Sequence, residues 1–259
     1  AGLAVMLVII WVFYSADGPQ TTAVLAGTVR AATLLALGAM CGMIGERSGV
    51  VNIGIEGQFL LSAFAAFTIA SMTGSLFMGT IAGIGMGLLM GWMLAAMAVG
   101  LKVDQIIAGT VLNIAALGLT SFFYDRSRSL GMGKYTNIDL GPLADIPLLG
   151  TVLFSRPPLT YLTMALLVVV HIALFRSVWG MRTRAIGEHP GAADTVGIDV
   201  LKLRYLNVTL AGGLAGLGGA YLALEAVGTF SRAMSGGRGF LALAVMIFGR
   251  RTPFGAYAA

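Results

Sequence analysis

Long apolar runs alternate with short polar breaks along almost the whole chain. Runs of membrane-spanning length cover residues 22–44, 50–73, 75–99, 105–124, 159–175 and 205–227, with a less regular one over 237–249. The breaks carry turn chemistry: Asp17-Gly18-Pro19, Gly45 to Gly49, Thr73-Gly74-Ser75, Lys102 to Gln105, and Arg156-Pro157-Pro158. Residues 1–14 form a further run that reaches only about 21 Å at 1.5 Å per residue, short of a hydrocarbon core about 30 Å thick, and read as a clipped helix. The last residues, 252–259, stop in apolar sequence after Pro253, so truncation is expected at both ends. The pattern predicts an all-α, polytopic transmembrane helical bundle with about eight membrane segments, forming one domain over 1–259. The stretch 228–239 is expected either to leave the membrane or to re-enter it.

Composition narrows the class. Hydrophobic residues make up 58% of the 259 positions and charged residues only 10%, too few polar groups to clothe a water-soluble body of this size. A cytosolic enzyme is thereby excluded. The 37 glycines suit helices packed closely in a bilayer. A net charge of +5 suggests nucleic acid at first sight, but the bases sit between apolar runs without interleaved aromatics, which excludes that partner. The single cysteine, Cys41, rules out an intrachain disulfide and is expected to pack as a small hydrophobe.

The bases also orient the bundle. Arg47, Lys102, Arg176, Arg182, Arg184, Lys202, Arg204, Arg250 and Arg251 fall on one side, six others on the opposite side, and Arg30 within a span. The first side has the short loops over which a positive-inside bias counts, so it is expected to be cytoplasmic. Residues 125–158 then form an external loop and 176–204 a cytoplasmic one.

The cytoplasmic segment is too polar to enter lipid. Within it Gly187-Glu188-His189-Pro190 predicts a turn, followed by a short helix over 191–196 with Gly197 as its C-cap. Two readings stand: a helix lying on the membrane surface and docking into a groove of a soluble partner, or an ordinary solvated loop. The stretch 45–58 has glycines at 45, 49, 54 and 57, each weakening a helix by about 1 kcal/mol, and predicts a bent or closely packed backbone. It carries Asn52, Glu56 and Gln58 into the membrane. Glu56 is a functional candidate because an intramembrane carboxylate is costly, although a carboxylate bonded to the preceding turn fits equally well.

Arg30 is the costliest polar group within a span, at about 2.5 kcal/mol or more. It is expected either to pair with Glu56 or to face a solute path. Asn113 is placed to bond a solute hydroxyl or to bridge two helices. His171 is expected near the interface, and Glu225 near the outer end of its span, touching an external partner or Arg232. Gly83-x-x-x-Gly87-x-x-x-Gly91 and Gly212-x-x-x-Gly216 predict packing faces. No strand-borne phosphate loop, H-E-x-x-H or G-x-S-x-G motif occurs, and two histidines 18 residues apart make a poor metal site.

Three stretches carry a resemblance. GERSGVVNIGIEGQFLLSAFAAF, RAIGEHPGAADTVGID and GRGFLALAVMIFGRRTPFGA resemble permease subunits of bacterial ATP-binding-cassette importers, in the group that takes up nucleosides, ribose-type sugars and, more distantly, branched-chain amino acids. The wording is most similar to the nucleoside and simple-sugar branch. The resemblance implies a multi-pass protein of the bacterial inner membrane that binds no cofactor itself and catalyses no bond chemistry. It also implies cytoplasmic ATPase subunits that bind the ATP, a second permease subunit, identical or related, and an extracytoplasmic substrate-binding protein.

The resemblance further implies that Gly187, Glu188, His189, Pro190, Ala192, Ala193 and Gly197 belong to the helix that couples the permease to its ATPase, although Gly191 stands where such loops often have Glu. For a nucleoside or pentose the path should be mostly apolar with a few amides and hydroxyls, with Arg30, Asn52, Glu56, Gln58, Phe59 and Asn113 as its candidates. Three alternatives stay open: an ion-gradient-driven secondary carrier, a branched-chain amino-acid permease, and a membrane-embedded enzyme built on Arg30, Glu56 and His171.

Overall fold

The computed structural model describes residues 11–15, 17–124, 133–139, 141 and 150–259. Six helices are long and apolar enough to cross a membrane. Helix α1, Gly18–Arg47, starts where the Asp17 carboxylate accepts the Gln20 N–H at 3.1 Å with Pro19 in the first turn, and ends with Arg47 in its last turn. Helix α2 covers Ile55–Thr73 and stops at Gly74, whose φ of 69° ends it in the left-handed region. Helix α3 covers Leu76–Ala95 and widens into a π turn over Ala96–Gly100. Helix α4, Gln105–Phe123, is capped by Asp104 through the N–H groups of Ile106 and Ile107. Helix α5 is Pro158–Arg176.

Short helices α6, Val178–Glu188, and α7, Pro190–Thr195, lead into α8, Val200–Tyr221, which runs on as a π segment over Leu222–Val227. Helix α9, Arg238–Phe248, and α10, Pro253–Ala258, close the chain.

The sequence suggested about eight membrane segments, and the difference has two causes. Most of the first apolar run lies outside the described residues. The run over 237–249 becomes a helix of 11 residues, about 16 Å long, which is half a bilayer. Its first turn is only partly covered: Gly239 is buried against Glu56, while Arg238 and Phe240 are exposed. Positive φ values at Gly228, Ala233, Gly236 and Gly237 make the turns that lead into it. The polar segment 176–204 is also more helical than the turn-and-short-helix reading, because Ser177 caps α6 through the Gly180 N–H at 3.1 Å.

Helix α8 is the hub, with 78% of its most apolar window buried. One side packs on α3 through the two predicted glycine faces. A Cβ on Gly91 would lie 2.7 Å from the Val208 carbonyl oxygen, and one on Gly212 2.7 Å from the Gly91 Cα. The backbones touch, and van der Waals contact replaces the hydrophobic drive that lipid cannot supply. Its other side packs on α2, where Phe59, fully buried, fills the space that Gly38 of α1 and Gly218 of α8 leave open.

At the end of the bundle away from Arg47, strands β1, Ile138–Asp139, and β2, Ser155–Arg156, pair antiparallel. Residues 125–132, 140 and 142–149 of the expected external loop lie outside the described residues. Glu225 corrects an expectation. It is 6% exposed and caps α5, accepting the Leu159 N–H at 2.8 Å, the Thr160 N–H at 3.2 Å and the Thr160 hydroxyl at 2.5 Å. An N-terminus entering the protein has unpaired donors, and the carboxylate satisfies them instead of reaching Arg232 or an external partner.

Candidate functional site

Two regions gather the polar groups singled out in the sequence. The first is the face at the Arg47 end. Helix α6 is bound to α8 by Asn207, which accepts the Trp179 indole N–H at 3.0 Å and donates to the Thr183 hydroxyl at 3.1 Å. Arg204 bridges three elements: its Nε donates to the Ser48 carbonyl at 2.9 Å, just past α1, and its Nη2 to the Ile186 carbonyl at 3.0 Å in α6. Gly187 sits against the Arg47 carbonyl with no room for a Cβ. Arg47 and Arg184 both lie over the Phe175 ring, at 5.6 and 5.7 Å.

This stem carries an open tip. Glu188, His189, Pro190, Ala192 and Gly197 are exposed, Val196 is 75% exposed, and Ala193 alone of the short helix packs inward. Gly197, at φ 80°, turns the chain so that the Ile198 N–H reaches the Ala193 carbonyl at 3.1 Å. A groove of about 650 Å³ runs beside the tip, walled by Pro190, Asp194, Gly197 and Leu201. Asp199 caps α8, and its bonds to Lys202 hold its carboxyl below the ordinary value.

The second region lies at membrane depth. Between α1 and α2 the chain does not form the helix expected from residue 50. It turns at Ser48-Gly49 and runs back along α1 as irregular backbone, turning again at Ile53-Gly54: the Val50 N–H bonds the Gly45 carbonyl at 2.9 Å, the Asn52 amide reaches Cys41 Sγ at 3.3 Å, and Ile55 lies beside Gly38 and Gly42. Irregular backbone survives at this depth only when protein satisfies its polar groups. Side-chain amides do so here. Gln105 Oε1 accepts the Val51 N–H at 2.7 Å, and Asn52 Oδ1 accepts the Gly54 N–H at 2.9 Å. Asn113 accepts the Gly57 N–H at 2.7 Å and donates to the Ile53 carbonyl at 3.0 Å. Asn113 thus bridges two helices.

Asn52 also donates to Gln58 Oε1 at 3.1 Å, and Cys41 Sγ lies 3.6 Å from the same oxygen. Cys41 is therefore part of a buried polar cluster as well as a small packing group. Asn52, Gln58 and Phe59 are all buried behind α2. Glu56 points the other way. Its Oε1 accepts the Gly237 N–H at 2.8 Å and its Oε2 the Gly239 N–H at 2.7 Å, so one carboxylate holds the N-terminus of α9. It does not pair with Arg30. Glu56 and Asn113 share a cavity of about 300 Å³ with Leu60, Leu117, Ser235 and Phe240.

Arg30 is exposed and lines a different cavity, with Arg238. His171, expected at the interface, sits between the rings of Phe175 and Phe254 at 5.1 and 5.0 Å. Among the described residues no three His, Cys, Asp or Glu side chains gather to hold a metal ion. Sequence reasoning missed Arg204, Asn207 and Gly239. Arg204 was visible only as one base in a polar segment, and the other two had no local signal.

Comparison with known proteins agrees with this architecture. Residues 24–259 match the family described as branched-chain amino acid transport system, permease component. A putative glucose ABC transporter permease of Haloferax volcanii is 36% identical over 87% of this chain and 70% of its own length. The guanosine ABC transporter permease NupQ of Bacillus subtilis is 36% identical over 87% of this chain and 74% of its own. The nucleoside ABC transporter permease NupC of Lactococcus lactis is 37% identical over 83% of this chain and 71% of its own. No solved structure gives a significant match. Such permeases are embedded in the membrane and work with ATPase and substrate-binding partners. With six helices long and apolar enough to span a membrane and this match over nearly its whole length, the chain belongs to the permease family of ATP-binding-cassette importers, as a multi-pass transport subunit.

Proposed function

We propose that the chain forms half of the path of an ATP-driven importer for nucleosides or ribose-type sugars, and that the tip from Gly187 to Gly197 receives the stroke of its ATPase. The observation that carries this is the stem beneath the tip. A loop that only had to stay solvated would not need Arg204 to tie α6 to the end of α1, nor Asn207 to tie it to α8. The stem makes a rigid lever with exposed side chains at its end.

From Arg204 the connection runs through Ser48 into the non-helical stretch 48–54, and from its end through Glu56 to α9. A push at the tip therefore acts on the half-helix beside the cavity. The chain itself makes and breaks no bond and holds no cofactor; ATP belongs to the partner subunits. The Arg47 end faces the cytoplasm by its bases, and the opposite end meets the substrate-binding protein.

Relatives named for guanosine, nucleosides and glucose favour a neutral, hydroxyl-rich solute. The cavity beside Glu56 suits one: apolar walls from Leu60, Leu117 and Phe240, with Glu56, Asn113 and Ser235 as its few polar groups. Asn52, Gln58 and Phe59 support this wall from behind. Ile114, 66% exposed, and Phe240, 48% exposed, leave the cavity open on the bundle surface, and a second permease subunit, identical or related, closes it.

The test uses right-side-out vesicles holding the permease with its ATPase, loaded with ATP and supplied with the binding protein outside. Glu188→Trp and Ala192→Trp change exposed positions and are expected to abolish ATP-dependent uptake of labelled guanosine while leaving membrane insertion intact. Uptake at the parent rate in both variants overturns the coupling assignment, and competition by leucine but not by nucleosides or ribose overturns the solute class.

A further inference from the structure

Helices α1 and α9 run side by side in the same direction: Gly38 faces Ala242, and Gly42 faces Met246. Arg30 and Arg238 are the lining residues furthest from Arg47 on their two helices, and the Arg238 Nη1 donates to the Met234 carbonyl at 2.9 Å, which turns its guanidinium back past the start of α9. Arg30 is held in place by its own backbone, whose carbonyl accepts the Tyr221 hydroxyl at 3.0 Å. Both guanidiniums thus stand at one rim of a cavity of about 390 Å³. The rest of the cavity is apolar, with Leu34, Leu35 and Leu241 on the side towards Arg47 and Leu222 and Ala226 against α8.

Among the described residues the ion pairs are Asp199 with Lys202 and Glu46 with Arg251, and neither involves Arg30 or Arg238. The carboxylates of Glu56 and Glu225 are engaged by backbone N–H groups. Arg156, buried nearby, is pushed below its ordinary value by that burial and then by the charge of Arg30, while the Glu225 carboxylate acts on it with the opposite sign. Arg30 lies some 25 Å from Arg47 along α1 at about 1.5 Å per residue, which puts the rim near the far edge of a hydrocarbon core roughly 30 Å thick.

We propose that this cavity binds a membrane phospholipid of net negative charge, its phosphodiester between Arg30 and Arg238 and an acyl chain along Leu35 and Leu241. Two guanidiniums present several N–H donors to one phosphate at the depth where lipid phosphates lie, and the apolar floor continues from that rim towards the bilayer middle, the direction an acyl chain takes. Val227, 50% exposed, and Leu241, 56% exposed, leave the cavity open sideways on the bundle face, where lipid can enter. A soluble anion would find the same two donors but would leave the apolar floor uncovered.

The test is native mass spectrometry of the permease purified with its partner subunits in mild detergent, incubated with phosphatidylglycerol, phosphatidylcholine or adenosine monophosphate. The parent is expected to retain phosphatidylglycerol over phosphatidylcholine. Arg30→Gln with Arg238→Gln is expected to weaken that retention about tenfold. Leu35→Trp, which keeps both guanidiniums but fills the floor, is expected to weaken it too, and this variant guards against a misfolded double variant. Equal retention by the parent and all variants overturns the site. Retention of adenosine monophosphate that phosphatidylglycerol does not displace shows a soluble phosphate ester as occupant and overturns the lipid assignment. Because the readout is lipid retention, its failure leaves the import reading untouched.

Discussion

The Glu56 carboxylate and the Gly239 backbone fit each other closely: Oε2 accepts the Gly239 N–H at 2.7 Å, and a Cβ on Gly239 would stand 2.9 Å from that oxygen. The same carboxylate takes the Gly237 N–H, so two donors at the start of α9 share one acceptor group from α2. A charge-assisted pair of this kind contributes about 1.5–3 kcal/mol per bond. Glu56→Gln turns one acceptor oxygen into a donor facing a donor, and is expected to cut uptake more than tenfold and to lower the unfolding midpoint of the detergent-purified permease. Glu56→Asp, which keeps the charge but shortens the reach, should fall between. If Glu56→Gln transports and melts like the parent, the carboxylate does not hold α9.

The six spans could be read from hydropathy, and so could the packing faces at Gly83–Gly91 and Gly212–Gly216, because both signals are local. The start of α2 could not. Val50, Val51 and Ile53 are as apolar as any helical run, and what holds them outside the helix is the pair of amides on Gln105 and Asn113, more than 50 residues away. The partner of Glu56 was hidden for the same reason, since Gly237 lies 181 positions along the chain. The polarity of residues 176–204 marked a segment outside the membrane, and only the resemblance implied a coupling role for it; the stem beneath rests on Arg204 and Asn207, which carry no signal until the helices are in place.

Contact between α3 and α8 makes Gly87 and Gly216 sensitive to size. Each would put a Cβ into the other helix's backbone, whereas Gly85, on the same helix as Gly87, has nothing within 4 Å. Gly87→Val should destabilise the bundle by about 1–3 kcal/mol or more, since backbone cannot yield as a side chain does. Gly85→Val is expected to be near neutral. Thermal unfolding of the three proteins in one detergent checks the contrast, and equal midpoints for the two variants would contradict the packing.

Asn113 illustrates a group whose loss exposes two others. Asn113→Ala would leave the Gly57 N–H and the Ile53 carbonyl without partners at membrane depth, at about 1–3 kcal/mol each. Asn113→Asp keeps an acceptor for Gly57 but sets an oxygen against the Ile53 carbonyl. Alanine is therefore expected to lower the unfolding midpoint, and aspartate to lower it by at least as much. A solute-binding role without the bridging role would change the uptake KM in both variants and leave both midpoints where they were.

Arg204 is the joint on which the proposed coupling rests, because a single side chain reaches the end of α1 and the end of α6 at once. The two carbonyls it serves, at Ser48 and Ile186, are met by different nitrogens of one planar fork. Lysine has the charge but only one nitrogen on a flexible stem, so it cannot hold both in fixed geometry. Arg204→Lys should therefore leave the spans inserted and the partner ATPase able to hydrolyse ATP. What it should lose is the link between the two: ATP turnover that no longer rises when loaded binding protein is added, and uptake per ATP reduced about tenfold. Arg204→Ala should show the same loss with a lower unfolding midpoint, since Ser48 and Ile186 are then both without their donor. Measuring ATP turnover and labelled-nucleoside uptake in the same proteoliposomes separates the effects. A parent-like ratio in Arg204→Lys would mean that the stroke reaches the membrane by another route, through the packing of Trp179 on α8 being the nearest one available.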